Sequence, residues 1–287
     1  LYAQDETARL VGVVDRDRER AEAIASEYGC AVFDDEEALA AATTAVSVAV
    51  PTEFHVDVAV RLLESGAHVL VEKPLARSID EAERINSTAE RHERIVMVGH
   101  TERFNPAVRA LADAVHEPRF FEIHRLAAFS ARSTDIDVVL DLMIHDLQII
   151  HTLDPSPIKE IRATGIEVLS PRIDIADARI ELTSGCVVNV TASRISSEKV
   201  RRLRAFMQNC YFSLDYQEQS LKGAKLSGQA EVRSIQPLAI EIENVEPLKA
   251  ELEHFLAACR GVEVPLVDGH AGRRALETAL EVVAAIG

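Results

Sequence analysis

His68-Val69-Leu70-Val71-Glu72-Lys73-Pro74 decides how the first third of the chain folds. Val69, Leu70 and Val71 form a short apolar run, preceded by the helix-ending Gly66 and followed by Pro74. A run without polar alternation suits a parallel strand buried on both faces. Lys73 then falls at the carboxyl end of that strand, the edge where open α/β sheets bind ligands at the point where strand order reverses. A lone Lys-Pro in such a place also reads as a surface lysine in a turn, and its surroundings have to decide.

Those surroundings repeat one alternation. Residues 9 to 14 (Arg-Leu-Val-Gly-Val-Val) read as a buried strand ended by Asp15, and a helix rich in Ala and Glu follows from about Arg16 to Tyr28, closed by Gly29. Ala31 to Phe33 reads as a short strand, Asp34 or Asp35 as the cap of a short helix, and Ala45 to Val50 as a strand ending at Pro51-Thr52. A helix from about Glu53 to Ser65 leads into the Lys73 strand. Beyond it, Ser78-Ile79-Asp80-Glu81 is a capping box for a helix to about His92, before a strand from Ile95 to Val98. This βαβαβα order predicts a doubly wound parallel sheet. In its dinucleotide-binding form such a sheet opens on a strand and a G-x-G-x-x-G turn, with an acid ~20 residues later on the ribose. Asp15 fits the acid, but the glycines are absent, so the first strand and its turn are expected before residue 1, with Leu1-Tyr2-Ala3-Gln4 as the tail of the helix after them.

After Gly99 the pattern changes. Helices are expected at 104 to 114 and 138 to 153, and a strand at 119 to 129. Mostly alternating segments follow at 158 to 169, 177 to 183, 186 to 193, 200 to 207, 210 to 216 and 231 to 243. Ser184-Gly185 joins two of them as a tight hairpin. The expectation is a second α/β domain with an open, mostly antiparallel sheet, one face covered by helices near 104 to 114, 138 to 153, 245 to 260 and 269 to 285. The units are read as 1–98, a Rossmann-like domain with an incomplete amino end, and 99–287, a domain for substrate and oligomer contacts.

Composition narrows the partners. A net charge of -16, from 31 Lys plus Arg against 47 Asp plus Glu, argues against a nucleic-acid backbone or an anionic membrane. No apolar run reaches the ~18 residues of a membrane span, and no signal-peptide pattern opens the sequence. Cys30, Cys186, Cys210 and Cys259 are too far apart for a C-x-x-C motif, which suits a reduced, cytoplasmic setting.

Asp141-Leu142-Met143-Ile144-His145 places a carboxylate and an imidazole four residues apart on one face of an otherwise apolar helix. A histidine satisfied inside an amphipathic helix is the simpler explanation for His145 alone; sharing that face with Asp141 asks for more, since each needs a partner when buried. A metal is the weaker reading, because neither H-E-x-x-H nor a nearby thiolate adds ligands. With Lys73, the pair suits oxidation of a secondary alcohol by a nicotinamide. An imidazole of ordinary pKa ~6.5 can accept the hydroxyl proton, and an ammonium can stabilise developing alkoxide charge. Asp141 then orients His145 or holds another substrate hydroxyl.

Val69-Leu70-Val71-Glu72-Lys73-Pro74-Leu75, Gly99-His100-Thr101-Glu102-Arg103-Phe104-Asn105-Pro106 and Asp141-x-x-x-His145 together resemble the Gfo/Idh/MocA oxidoreductases, over essentially the whole chain. The resemblance implies a Rossmann domain for NAD or NADP and an α/β domain that builds a sugar or cyclitol site. It implies catalytic roles for Lys73, Asp141 and His145, and cofactor contacts at Asp15, Pro51, Thr52, His55, Glu72 and Lys73. A carboxylate at Asp15 accepts from the ribose 2′-hydroxyl and repels a 2′-phosphate, which favours NAD. Arg16 could instead face a phosphate, or lie solvated in the first helical turn, so NADP stays open. A homo-oligomer, dimer or tetramer, is expected through the open sheet.

Ser193-Arg194-Ile195-Ser196-Ser197-Glu198-Lys199-Val200-Arg201-Arg202-Leu203-Arg204 concentrates positive charge in an acidic protein. It suits an anionic handle such as a diphosphate, or a basic face paired with acids. In a strand, Arg202 and Arg204 share one face and Arg201 points away. With Arg132-Ser133-Thr134-Asp135 and the segment from Val139 to Asp146, this stretch is similar to a branch of the family that acts on UDP-N-acetylglucosamine, implying oxidation at C3 of a nucleotide sugar. An NAD-dependent glycosidase, a dehydrogenase of inositol or another sugar, and a non-catalytic sensor are the competing readings.

Overall fold

The computed structural model describes residues 1–129, 136–228 and 234–287. By their contacts they form two compact units, one of Leu1–His100 with Leu248–Arg273 and one of Thr101–Pro247 with Arg274–Gly287. Both boundaries differ in kind from a single cut after residue 98, since the chain returns to the first unit after the second is largely built.

In the first unit every paired strand is parallel, as the apolar runs require. β1 (Gly12–Val13) pairs with β2 (Ala31–Val32), and β3 (Ala45–Val48), β4 (His68–Glu72) and β5 (Val96–Gly99) form a second sheet in that order. Both groups have the all-parallel pairing of a doubly wound sheet, and among the described residues no strand joins them. The helices start where their side chains can cap. Asp17 accepts from the Arg20 amide at 3.1 Å to open α1 (Arg18–Tyr28), Asp35 from Ala38 at 2.7 Å to open α2 (Glu36–Ala42), and Ser78 from Glu81 at 3.2 Å to open α4 (Ile79–Arg91). The capping box is one-sided, because Glu81 turns to the backbone and guanidinium of Arg77. α3 (His55–Glu64) buries seven of its ten residues and closes this layer.

α7 (Pro247–Cys259) belongs almost entirely to the first unit, not to the layer that covers the second sheet. The segment after it runs antiparallel beside β5, with a Met97–Asp268 bridge and the Val98 amide donating to the Val267 carbonyl at 2.9 Å.

The second unit holds an eight-stranded sheet in the order β13-β12-β11-β10-β6-β9-β8-β7. Its strands are β6 (Phe120–Leu126), β7 (Ile158–Ile166), β8 (Ile175–Leu182), β9 (Val187–Ser193), β10 (Val200–Phe206), β11 (Cys210–Asp215), β12 (Ser220–Ser227) and β13 (Ser234–Leu238). All neighbours are antiparallel except β6 and β9. Gly185, at φ +86, makes the turn between β8 and β9. One face packs against α5 (Pro106–Ala114), α6 (Ile144–Leu153) and the second half of α8 (Gly269–Ile286). Its core includes Phe121, Ile123, Met143, Ile144, Val188, Leu203 and Ala279. β12 is absent from the sequence reading, and part of the expected 231 to 243 strand lies outside the described residues. Among the described residues, no helix is long and apolar enough to cross a membrane.

Candidate active site

In the first unit the candidate residues gather where β3, β4 and β5 end. Glu72 is the last residue of β4 and pairs in register with Gly99 of β5. A Cβ at Gly99 would stand 3.0 Å from the Glu72 carboxylate, so a larger residue there would push that side chain by a few tenths of an ångström. Burial raises the Glu72 pKa, partly offset by the charge of Lys73 beside it. Lys73 follows, half-buried, joined to Pro74 by a cis peptide. His100, 1% exposed, sits near enough that its pKa falls to about 3, chiefly through burial and secondarily through the Lys73 charge. It is therefore a neutral imidazole at physiological pH. The sequence reading quoted His100 without assigning it a role.

His55 is buried, with Nδ1 at 2.9 Å from the Pro74 carbonyl and Nε2 at 2.9 Å from the Val50 carbonyl. Both ring nitrogens thus face backbone carbonyls of this unit, and a neutral imidazole donates to one of them. Pro51 is exposed and Thr52 half-exposed, at the start of the 3-10 turn Thr52–Phe54. Asp15 ends the β1 region with one carboxylate oxygen accepting from the Asp17 amide at 2.9 Å and the other 3.3 Å from Arg20. Arg16 lies over the Phe54 ring, 3.9 Å from its centroid, so it is neither fully solvated nor folded back on an acid.

In the second unit Asp141 and His145 come from one continuous helical segment, but not from a regular α-helix. Val139–Met143 forms a π turn, with the Ile144 amide bonded to the Val139 carbonyl, and α6 begins at Ile144. A π turn widens the helix and is frequent at functional sites. Met143 and Ile144 face the core while Asp141 and His145 stay half-exposed. The start of this segment is pinned by a buried ion pair. Asp174 accepts from the amides of Val168, Leu169 and Ser170 and from Arg194 at 2.8 Å, and Arg194 donates onward to the Ile136 carbonyl at 2.8 Å. Those bonds hold the Asp174 carboxyl far below the usual range despite burial. Asp137 accepts from the Ile173 amide at 3.0 Å and completes the anchor.

Directly after His145 comes Asp146, at the centre of a second buried group that sequence reasoning missed. Arg125 of β6 grips it with two bonds of 2.6 and 2.9 Å, and the Tyr216 hydroxyl donates to it at 3.0 Å. Arg125 also reaches Glu102 at 3.0 Å, Arg201 stands 3.5 Å from the same carboxylate, and Asn105 donates to the Tyr216 carbonyl at 2.9 Å. The residues lie far apart in sequence, and no local pattern marks them.

The basic stretch divides as strand alternation requires. Leu203 and Ala205 are buried on the helix-covered face, and Arg201 shares their parity. Arg202 and Arg204 project from the opposite face, paired with Asp215 at 3.4 Å and Glu122 at 3.1 Å. Arg194 is consumed by Asp174 and the chain around it. Of the arginines in this stretch, Arg201 alone is left on the helix-covered face without being taken up by Asp174, Asp215 or Glu122, and it stands beside Glu102. Arg132-Ser133-Thr134-Asp135 lies outside the described residues.

Residues 1–100 match the family model described as an oxidoreductase family with an NAD-binding Rossmann fold. The chain is 36% identical over 285 residues to UDP-N-acetylglucosamine 3-dehydrogenase of Acidithiobacillus ferrooxidans, covering 97% of this chain and 90% of that one. The solved structure of that enzyme superposes with a TM-score of 0.93, covering 99% of this chain and 91% of the other. The chain belongs to the Gfo/Idh/MocA oxidoreductases. A more distant relative, the scyllo-inositol 2-dehydrogenase (NAD(+)) of Bacillus subtilis, is 27% identical over 285 residues, 91% of this chain and 81% of that one. As a member of the family the chain is an NAD(P)-dependent dehydrogenase acting on a secondary alcohol of a sugar. Its first unit fits the cofactor, since the half-exposed Asp15 carboxylate offers an acceptor to ribose hydroxyls at the carboxyl end of β1.

Proposed function

We propose that the chain oxidises the C3 hydroxyl of UDP-N-acetylglucosamine with NAD, the first unit holding the dinucleotide and the second the nucleotide sugar. The observation that carries this reading is that the likeness to the Acidithiobacillus ferrooxidans enzyme runs through both units, over 97% of this chain. When bound, the nicotinamide supplies the acceptor for the hydride leaving the carbinol carbon. His145 takes the hydroxyl proton. Lys73 donates to the hydroxyl oxygen and stabilises its developing charge. Asp141 either orients His145 or holds a further sugar hydroxyl; in Asp141→Asn the first role lowers kcat and the second raises KM. Arg201, a third exposed, is the arginine available to an anionic handle.

Asp15 acts as the ribose acceptor and favours NAD, with Glu72, Pro51 and Thr52 lining the nicotinamide end. The uncovered face of the second sheet takes another copy of this chain. Its support is the row Phe120, Phe206 and Tyr211, whose ring centroids lie 5.7 and 5.0 Å apart on adjacent strands. The free cysteines Cys30, Cys186, Cys210 and Cys259 suit a cytoplasmic setting.

The test is NADH formation with UDP-N-acetylglucosamine, free N-acetylglucosamine and myo-inositol side by side. The nucleotide sugar should be turned over with by far the highest kcat/KM. Preference for either free compound rejects the nucleotide-sugar assignment.

A further inference from the structure

His55 sits at the first residue of α3, yet its two ring nitrogens face two strand ends. The Pro74 carbonyl belongs to the residue directly after Lys73, and the Val50 carbonyl to the residue directly before Pro51-Thr52. The β3–β4 ladder stops at the pair Val48 and Val71, and the imidazole stands between the two strand ends beyond that last rung. A carbonyl oxygen only accepts, so a neutral imidazole satisfies one of these groups and an imidazolium both.

A lysine is a point charge on a flexible four-carbon stem, so where its ammonium sits depends in part on where its backbone is held. Leu75 and Ala76 are fully buried behind the turn, which anchors the chain after Lys73. The Pro74 carbonyl between them and Lys73 is held by His55. We propose that His55 is a positioning residue for Lys73: its Nδ1–H holds the Pro74 carbonyl, ties the turn after β4 to the start of α3, and so fixes the lysine backbone. The proposal rests on the reading of Lys73 as the group that stabilises the alkoxide.

A histidine that merely fills the core would lower stability without acting through the lysine. A double-mutant cycle separates the two cases. His55→Ala should lower kcat about 100-fold, the loss expected when a reacting group shifts by about 1 Å. Because it acts through Lys73, the double variant His55→Ala/Lys73→Ala should be as slow as Lys73→Ala alone. Losses that multiply in the double variant overturn the clamp, as does wild-type turnover of His55→Ala. Lys73→Ala with wild-type turnover instead refutes the lysine reading, and the clamp falls with it. Thermal melts identify variants that fail to fold; if the alanine does, His55→Gln, which keeps a donor toward one carbonyl, enters the same cycle under the same criteria.

Discussion

Asp146→Asn is the perturbation whose size the structure sets most directly. The Asp146 side chain is 0% exposed and that of Arg125 3%, and three bonds of 2.6 to 3.0 Å converge on the carboxylate. Asparagine keeps the shape, removes the charge and turns an amide donor toward the guanidinium. Breaking a buried ion pair from one side costs about 3–5 kcal/mol, because the remaining charge stays buried without its partner. Arg125 retains Glu102 at 3.0 Å, which places the loss near the lower bound, about 3 kcal/mol. For a unit of this size that lowers Tm by roughly 6–12 °C. Tyr216→Phe removes one hydrogen bond to a charged group and should cost about 1.5 kcal/mol. Replacing both partners, Arg125→Met with Asp146→Leu, should be less damaging than Asp146→Asn, since no buried charge is orphaned at that pair. Urea unfolding followed by circular dichroism, with calorimetry, measures all three. If Asp146→Asn lies within about 0.5 kcal/mol of the wild type, as exposed substitutions do, the buried pair does not contribute to stability as its burial and bonds require.

His145→Ala and Lys73→Ala should each reduce hydride transfer to a small residual rate, still measurable in single turnover, while their melts stay near wild type; near wild-type turnover in both would make the assigned chemistry wrong. Asp15→Ala should weaken NAD more than NADP, since it removes both the ribose acceptor and the repulsion of a 2′-phosphate, and titration with an unchanged ratio sinks that role. Acid should destabilise the fold between about pH 6.5 and pH 4. His100 and His151 titrate at about 3 and about 4 when folded but near 6.5 when unfolded, so in that window the unfolded chain binds more protons and stability falls as pH falls. His151→Gln should flatten that loss, and an unchanged pH profile counts against it. Light scattering at micromolar concentration should find an oligomer, and monomer alone rejects the second copy on the sheet.

The parallel core of the first unit was legible because Val69-Leu70-Val71 is apolar on both faces and because Asp17, Asp35 and Ser78 announce their helices by local chemistry. β12 was not, because its inward-facing Gly223 has no side chain to mark a period. The Phe212 ring lies over it and fills that space from the neighbouring strand. The pair Asp141 and His145 was visible as spacing, whereas the π turn is not, since residues 138–144 are so largely apolar that a one-residue shift of face leaves no break in the pattern. Glu102, Arg125, Asp146 and Tyr216 each look like ordinary surface residues in sequence. Only folding brings them into one buried group, and the same folding sends Arg202 and Arg204 to the wrong face for a shared ligand.

The central claim is that hydride leaves C3 of the sugar. UDP-N-acetylglucosamine deuterated only at C3, incubated with the enzyme and NAD, should transfer its label to the reduced cofactor and slow turnover where that transfer limits the rate. Unlabelled NADH formed alongside a substrate that retains its deuterium would contradict the account.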